Sequence, residues 1–314
     1  MLPGPAAAET VPVRASVISA FKYGSTETVF GALEFLSGIE LTSTNALLGA
    51  MSSIRFRPDG VHFIAVLDTG HFAEGAVTRD AEGRLAGVGD LTVTSMKDRQ
   101  GHDEQVKWKM DAEGLALRPG EVLVSYERDD RIDIYPDPGF TASGPVGGLP
   151  ILIPEGALNG NRGLETLAVS PADSPLRGGA VTVAELSYDA KGNLLAAILD
   201  GPRKGLFAVR EIKPFAVTDG AFLPDGDLLL LERRFSFAEG VGMQIRRIPA
   251  DSLRPGAVVD GEVLINVDMS HQIDNMEGMD VVAGPDGETR IILVSDDNHS
   301  ILQRTLMLEF RLKR

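Results

Sequence analysis

The sequence predicts an all-β fold, a β-propeller with five countable four-stranded blades, and three observations predict it. A strand-turn-strand unit recurs along the chain, its spacing matches the length of one blade, and helical periodicity is nearly absent. Each unit opens with a polar or acidic residue, followed by a small residue and a short alternating apolar strand. The copies begin at Ser52 (SSIRFRPDGVHFIAVLD), Glu113 (EGLALRPGEVLVSYE), Glu165 (ETLAV), Asp219 (DGAFLPDGDLLLLE) and Glu277 (EGMDVVAGPDGETRIILVSD).

In four copies a Pro-Asp-Gly or Pro-Gly turn follows. Such a turn suits a hairpin because Pro presets φ and Gly accepts φ > 0. A second, more continuously apolar strand then ends in Asp or Glu. The copy at Glu165 is looser: its turn is SPADSPLRGG and its second strand AVTVAE, ending at Glu185. Third and fourth strands are visible in RIDIYP, NLLAAILD and GLFAVREI. After the second strand of the last copy only ILQRTLMLEFRL remains, so strands from VPVRASVISAF or GALEFLSGIELTS are expected to complete its sheet and close the ring. A sixth blade would need the N-terminal 45 residues to supply most of one.

A β-sandwich or a pair of β domains uses the same alternation and turns. Recurrence at nearly constant spacing favours the propeller, and no Pro/Gly/Ser-rich linker divides the chain, so residues 13–314 read as one domain. Residues 1–12 read as the disordered remnant of an export signal, because Ala6-Ala7-Ala8 before Glu9 has the small-residue pattern of a signal-peptidase site. An ordinary Ala/Pro tail looks much the same. Export would make the protein periplasmic or secreted.

Composition narrows the function classes. Thirty basic against 45 acidic residues give a net charge of −15, which repels nucleic acid and acidic membrane surfaces and attracts cations. No apolar run is long enough for a membrane span. The absence of cysteine excludes disulfides, thiolate metal sites and cysteine nucleophiles. Known catalytic signatures such as GxSxG, the Walker loop and HExxH are missing.

The stretch IAVLDTGHF (residues 64–72) looks like the strand-to-turn of a pepsin-type protease. Such an enzyme needs two Asp turns facing each other, and no second DTG or DSG follows a strand. Asp68 instead ends a second strand, as Glu127, Glu185, Glu232 and Asp296 do in the other copies.

In a propeller, the start of the innermost strand and the end of its hairpin partner share one face. That geometry predicts Glu113, Glu165, Asp219 and Glu277 at an inner rim, with Asp68, Glu127, Glu185, Glu232 and Asp296 close behind. Clustered carboxylates raise one another's pKa unless cations compensate them. Hard oxygen donors suit Ca²⁺, with Mg²⁺ or Mn²⁺ less favoured, and SDDNHS adds Asp297 and Asn298. Zinc is disfavoured because the histidines (62, 71, 102, 271, 299) lack ligand spacing. Arg128, Arg131, Arg233 and Arg234 recur at second-strand ends, where an arginine fork holds an anionic group or neutralises a neighbouring carboxylate. His71 and His299, each just past a second strand, are the histidines positioned for acid–base work.

NRGLETLAV, DGAFLPDGDLLLLERRFS, GVGMQIRRI, NMEGMDV and SDDNHSILQRTLMLEFRL, with DAEGLAL and SYERDDRI upstream, are similar to motifs of the bacterial phytase-like proteins, also described by esterase-like activity of phytase. The resemblance runs from roughly residue 30 to the end and implies a β-propeller, export to the periplasm and hydrolysis of an ester. Glu113, Glu165, Glu232, Glu277 and Asp297 match its acidic motifs, and Arg128 and Arg233 its basic ones. Early in the chain AMSSIRF and LDTGHF depart from the family's GGLSGLRF and SDRGHW, with Thr69 where an arginine is usual.

These readings give a calcium site from Asp68, Glu113, Glu165, Glu232, Glu277 and Asp297, an anionic or ester ligand on Arg128 and Arg233, and acid–base roles for His71 and His299. The expected activity is calcium-dependent hydrolysis of phosphoric or carboxylic esters. A non-catalytic propeller binding a metal, small ligand or protein, and a sugar-lactone hydrolase resembling the gluconolactonases, are the alternatives.

Overall fold

Successive strand residues point to opposite faces, so a strand that is apolar at every position must be covered on both sides. Leu228, Leu229, Leu230 and Leu231 form such a run, and all four are fully buried. Leu228 and Leu230 pack with Val181, Val183 and Val217, while Leu229 and Leu231 pack with Met276, Met279 and Leu293. The strand is therefore sandwiched between two neighbouring sheets. Repeated around a ring, this arrangement produces a propeller whose core lies between blades.

The computed structural model describes residues 8–103, 110–154, 156–158, 163–236 and 238–313. Their strands form five sheets. From the axis outward, blade I runs Met51–Phe56, His62–Leu67, His71–Arg79, Leu91–Ser95 and Glu9–Val11. Blade II runs Ala112–Arg118, Glu121–Tyr126, Arg131–Pro136 and Gly147–Leu149. Blade III runs Thr166–Val169, Ala180–Tyr188, Leu194–Ile198, Gly205–Val209 and the parallel edge Val258–Val259. Blade IV runs Ala216–Phe222, Leu228–Ser236, Gly240–Ile248 and Glu262–Asp268. Blade V runs Asn275–Ala283, Thr289–Asp296, Thr305–Leu312, Leu33–Thr42 and Arg14–Ile18. Each innermost strand packs against the next, and that of blade V against that of blade I, which closes the ring.

Both N-terminal segments expected to complete the last blade do so, one as its fourth strand and one as its fifth. The N-terminal residues therefore do not build a sixth blade. The tail expected to be disordered over residues 1–12 is corrected in part. Residues 1–7 lie outside the described residues, but Glu9–Val11 pairs with Leu91–Val93 and buries Val11 completely. An apolar side chain that fills the gap at the blade edge offsets the entropy of ordering a short strand.

Two features place side chains at the axis. Four innermost strands carry one extra residue near their start, in bulges at Met51/Ser53, Ala112/Leu115, Val217/Asp219 and Met276/Gly278. A bulge re-aims the side chain it holds. Deeper along the axis, Arg55 reaches across the ring. Its Nη1 donates to Asp219 Oδ2 (2.9 Å) and Met279 O (2.7 Å), and its Nη2 to Asp219 Oδ1 (2.9 Å), Leu167 O (2.9 Å) and Gly220 O (2.9 Å). This hub ties blades I, III, IV and V together.

Candidate functional site

Hairpin register assigns equivalent positions around the ring. Ile54, Leu115, Leu167, Gly220 and Met279 face Ala65, Val124, Thr182, Leu230 and Leu293 across the first hairpins. Two residues before the first set stand Ser52, Glu113, Glu165, Thr218 and Glu277. Three residues after the second set stand Asp68, Glu127, Glu185, Arg233 and Asp296. Both rings sit at the same face, and apart from Thr218 all of these residues line one funnel of about 580 Å³ on the axis.

Among the described residues, seven carboxylates line the funnel: Asp68, Glu113, Glu127, Glu165, Glu185, Glu277 and Asp296. Against them stand Arg233 and Arg234. The Nη2 atom of Arg233 lies 3.2 Å from Glu277 Oε1 and 4.0 Å from Glu185 Oε1. Arg234 leans outward to Glu239 at 2.8 Å.

Among the described residues, two triads can present oxygens within 4.8 Å of one another, Asp111–Glu113–Glu127 and Glu127–Glu165–Glu185. Glu127 belongs to both, and Glu127 Oε1 also accepts a hydrogen bond from Gly163 N at 3.0 Å. Carboxylate oxygens without imidazole or thiolate are hard donors of the kind Ca²⁺ or Mg²⁺ accepts, and they lack the nitrogen and sulfur ligands typical of zinc.

The electrostatics follow from burial and from like charge. Glu113 is pushed well above the usual carboxylate range by burial, reinforced by Glu127, Asp111, Glu277 and Asp68. Glu165 is raised in the same way by burial, then by Glu113, Glu127, Glu185 and Glu277. Burial carries Glu277 up to about 7 although Arg233 opposes it. Asp296 rises to about 6 through burial, although the backbone N–H groups of Asn298 and Ala50 hold it down. Burial alone would lower Arg233, but Glu277, Glu185 and Glu165 outweigh it and keep the guanidinium charged. The funnel is a concentration of negative potential that a cation would relieve.

Of the expected ligands, Asp68, Glu113, Glu165 and Glu277 line the funnel, and Glu232 and Asp297 do not. Blade IV is offset by one residue from the motif alignment, and a one-residue slip sends every side chain to the other face. Arg233 therefore takes the place expected of Glu232. Glu232 is buried between blades, accepting from Gln244 Nε2 at 2.7 Å and paired with Arg246. Asp219 likewise drops from the rim into the hub, leaving Thr218 in the bulge to donate to Met276 O at 3.0 Å. Asp297 caps the following turn, accepting from His299 N (2.8 Å) and Thr305 Oγ1 (2.9 Å), and its neighbour Asp296 faces the funnel instead.

Arg128 is paired with Asp111, Nε to Oδ2 2.8 Å, and is absent from the funnel wall. Neither expected histidine lines it. His71 opens the third strand of blade I with Nδ1 3.1 Å from Thr69 Oγ1, and burial lowers its pKa. His299 is exposed. Asp111 is the ligand candidate that the motif reading overlooked. It stands just before the strand Ala112–Arg118 and its bulge, so strand alternation does not mark it, and only the fold brings it to Glu113 and Glu127.

Among solved structures, the PQQ-bound aldose sugar dehydrogenase of Streptomyces coelicolor aligns with a TM-score of 0.43 at 14% identity, over 96% of this chain and 99% of that one. The WD40 repeats of RRP9 align with a TM-score of 0.47 at 9% identity, over 91% and 100% of the two chains. A sequence comparison with curated proteins gives no match. The sequence profile described as phytase-like, esterase-like activity of phytase, matches residues 46–299, which contain all five inner hairpins and every lining residue of the funnel. The chain belongs to the phytase-like family.

Proposed function

We propose that the axial funnel is a calcium-dependent ester hydrolase site. The observation that carries this reading is the convergence of two carboxylate triads on the shared Glu127 beside a half-buried arginine. Asp111, Glu113 and Glu127 would hold one cation, and Glu127, Glu165 and Glu185 an adjacent or alternative one. A divalent cation there supplies positive charge that polarises the ester bond and acidifies water.

The chain's own residues do the rest. Arg233, kept charged by its carboxylate neighbours, offers its guanidinium edge to an anionic oxygen of the substrate. Glu277, with a carboxyl pushed up to about 7, is suited to holding or releasing a proton near neutral pH. The half-buried walls lower the local dielectric around these charges and strengthen their fields. Phosphate esters and carboxylic esters both fit, since each presents an oxygen that gains negative charge in the transition state. The expected export to the periplasm or exterior suits a weak calcium site of extracellular type.

A second reading, a non-catalytic platform for a cation and a small anionic ligand or protein, is favoured by one observation: among the described residues, no histidine lines the funnel. Purified protein assayed on p-nitrophenyl esters, phosphate esters, phytate and sugar lactones, with Ca²⁺ and with chelator, separates the two. Chelator-sensitive turnover that Glu127→Gln lowers by tenfold or more supports hydrolysis. Calcium-dependent thermal stabilisation without turnover on any substrate would replace hydrolysis with the binding platform.

A further inference from the structure

Beside the funnel, between blades IV and V, runs a second cavity of about 770 Å³. It shares Arg233, Arg234, Phe235 and Asn298 with the funnel, so the two are one continuous depression. Its chemistry is different. Tyr23, Phe235, Met269 and Leu302 line it while remaining 53%, 63%, 59% and 87% exposed, and Ile273 forms its floor. Large apolar side chains scattered singly over a surface need no explanation, but a group of them converging on one concave wall beside a charged site marks a place where an apolar group binds.

The wall is built to keep this shape. Gly240 has φ +68°, and a Cβ there would meet Met269 Sδ at 1.8 Å, so the glycine makes room for the thioether. A Cβ on Gly242 would meet Arg234 Nε at 2.6 Å. Its absence lets the Arg234 side chain lie flat on the backbone at the junction of the two cavities. Arg304 fixes the far side, donating to Gln272 Oε1 at 2.8 Å and to Tyr23 Oη at 3.2 Å.

We propose that this groove holds the alkyl or aryl arm of an amphiphilic ester whose polar head sits in the funnel. This deepens the hydrolase reading and rests on it for the position of the head. The preferred substrates are then esters with one extended apolar group, and a compact polyanion such as phytate, charged on all sides, leaves the groove empty.

Two measurements test the proposal in calcium-loaded full-length protein. The first compares kcat/KM for p-nitrophenyl acetate, butyrate and octanoate; the second compares binding of ethyl phosphate with octyl phosphate below its micellar concentration. Burying each methylene is expected to give roughly two- to fourfold, so the longest chain should be favoured by at least about tenfold in either measurement. Leu302→Ser and Met269→Ser, both at exposed positions, should bring the long-chain values down toward the short-chain ones. Val146→Ser, exposed on blade II, should not. A flat chain-length profile in the native protein overturns the groove, and so does a steep profile that neither variant alters. Octyl phosphate binding that is lost in both variants, in a protein that turns over no ester, would keep the groove and discard the hydrolase.

Discussion

Two levels of the propeller axis carry buried charge and treat it in opposite ways. In the hub, Arg55 and Asp219 meet in a two-point ion pair, and Asp219 also accepts from Ser53 Oγ (2.9 Å), Met279 N (2.9 Å) and Gly220 N (2.7 Å). Arg55 and Asp219 face each other directly, with carbonyls and N–H groups completing both and Asp280 the further carboxylate nearby. In the funnel, seven carboxylates face two arginines, one of which leans outward. Desolvated charge is tolerated in the hub because it is closely paired, and the excess of negative charge in the funnel favours protonation or a compensating cation. The hub balances its charge internally, and the funnel does not.

The comparison breaks most severely at the hub. Asp219→Ala leaves a buried guanidinium without its counter-ion and is expected to cost about 3–5 kcal/mol in urea unfolding. Combining Asp219→Leu with Arg55→Met removes both charges and should cost less than either single change, the coupling expected of a direct pair. If Asp219→Ala cost under about 1 kcal/mol, the hub would not be the paired centre described.

In the funnel the sign is reversed. Glu277 and Asp296 have folded-state pKa values of about 7 and 6, above their ordinary values of 4.5 and 3.8. Between those limits the folded state binds more protons than the unfolded chain, so stability of the metal-free protein falls as pH rises from about 4 to 7. Asp280, half-buried near the hub and raised to about 6 by desolvation, adds to the same trend. Thermal melting without metal should therefore be higher at pH 5 than at pH 7.5, the loss being on the order of 1 kcal/mol or more per group. Calcium should recover the part that belongs to the funnel. Melting that rises over this window in chelator would contradict the funnel's charge excess.

Arg233→Gln is expected to have a smaller, pH-dependent effect. It removes the guanidinium that faces Glu277 and Glu185, and should cost roughly 1–3 kcal/mol at pH 7.5 and less at pH 5, where Glu277 carries its proton. An equal cost at both pH values would mean that packing, not charge, is what Arg233 contributes. The smallest effects belong to residues outside the funnel. His299→Asn keeps a residue tolerant of its φ of 52° on an exposed turn. It should change stability by under about 0.5 kcal/mol and calcium affinity, measured by titration calorimetry, by less than about twofold.

Much of this contrast was legible in the sequence. Asp68, Glu127, Glu185 and Asp296 follow apolar strands by the same offset, and Glu113, Glu165 and Glu277 open the strands before them, so an acidic ring followed from the repeat alone. Blade IV was not legible in the same way. Its second strand reads LLLLERRFS, with leucine on both faces, and a run without alternation carries no information about which side chain points where. Alternation therefore leaves Glu232, the acidic residue nearest the expected position, as the ring's candidate. Hairpin pairing and the bulge at Val217/Asp219 move that assignment by one residue.

The sequence by itself determined the repeat, the single ring of β blades and the excess of acid at one face, because those depend on local alternation, turn chemistry and charge count. The tertiary structure decided which carboxylates meet. It put Arg233 in the ring and Glu232 between blades, sent Asp219 down to Arg55, brought Asp111 beside Glu113 and Glu127, and set an apolar groove against the acidic funnel. Those outcomes depend on register and on contacts between strands far apart in the chain. A period of two residues turns a shift of one position into a change of face, which only pairing with a neighbouring strand fixes.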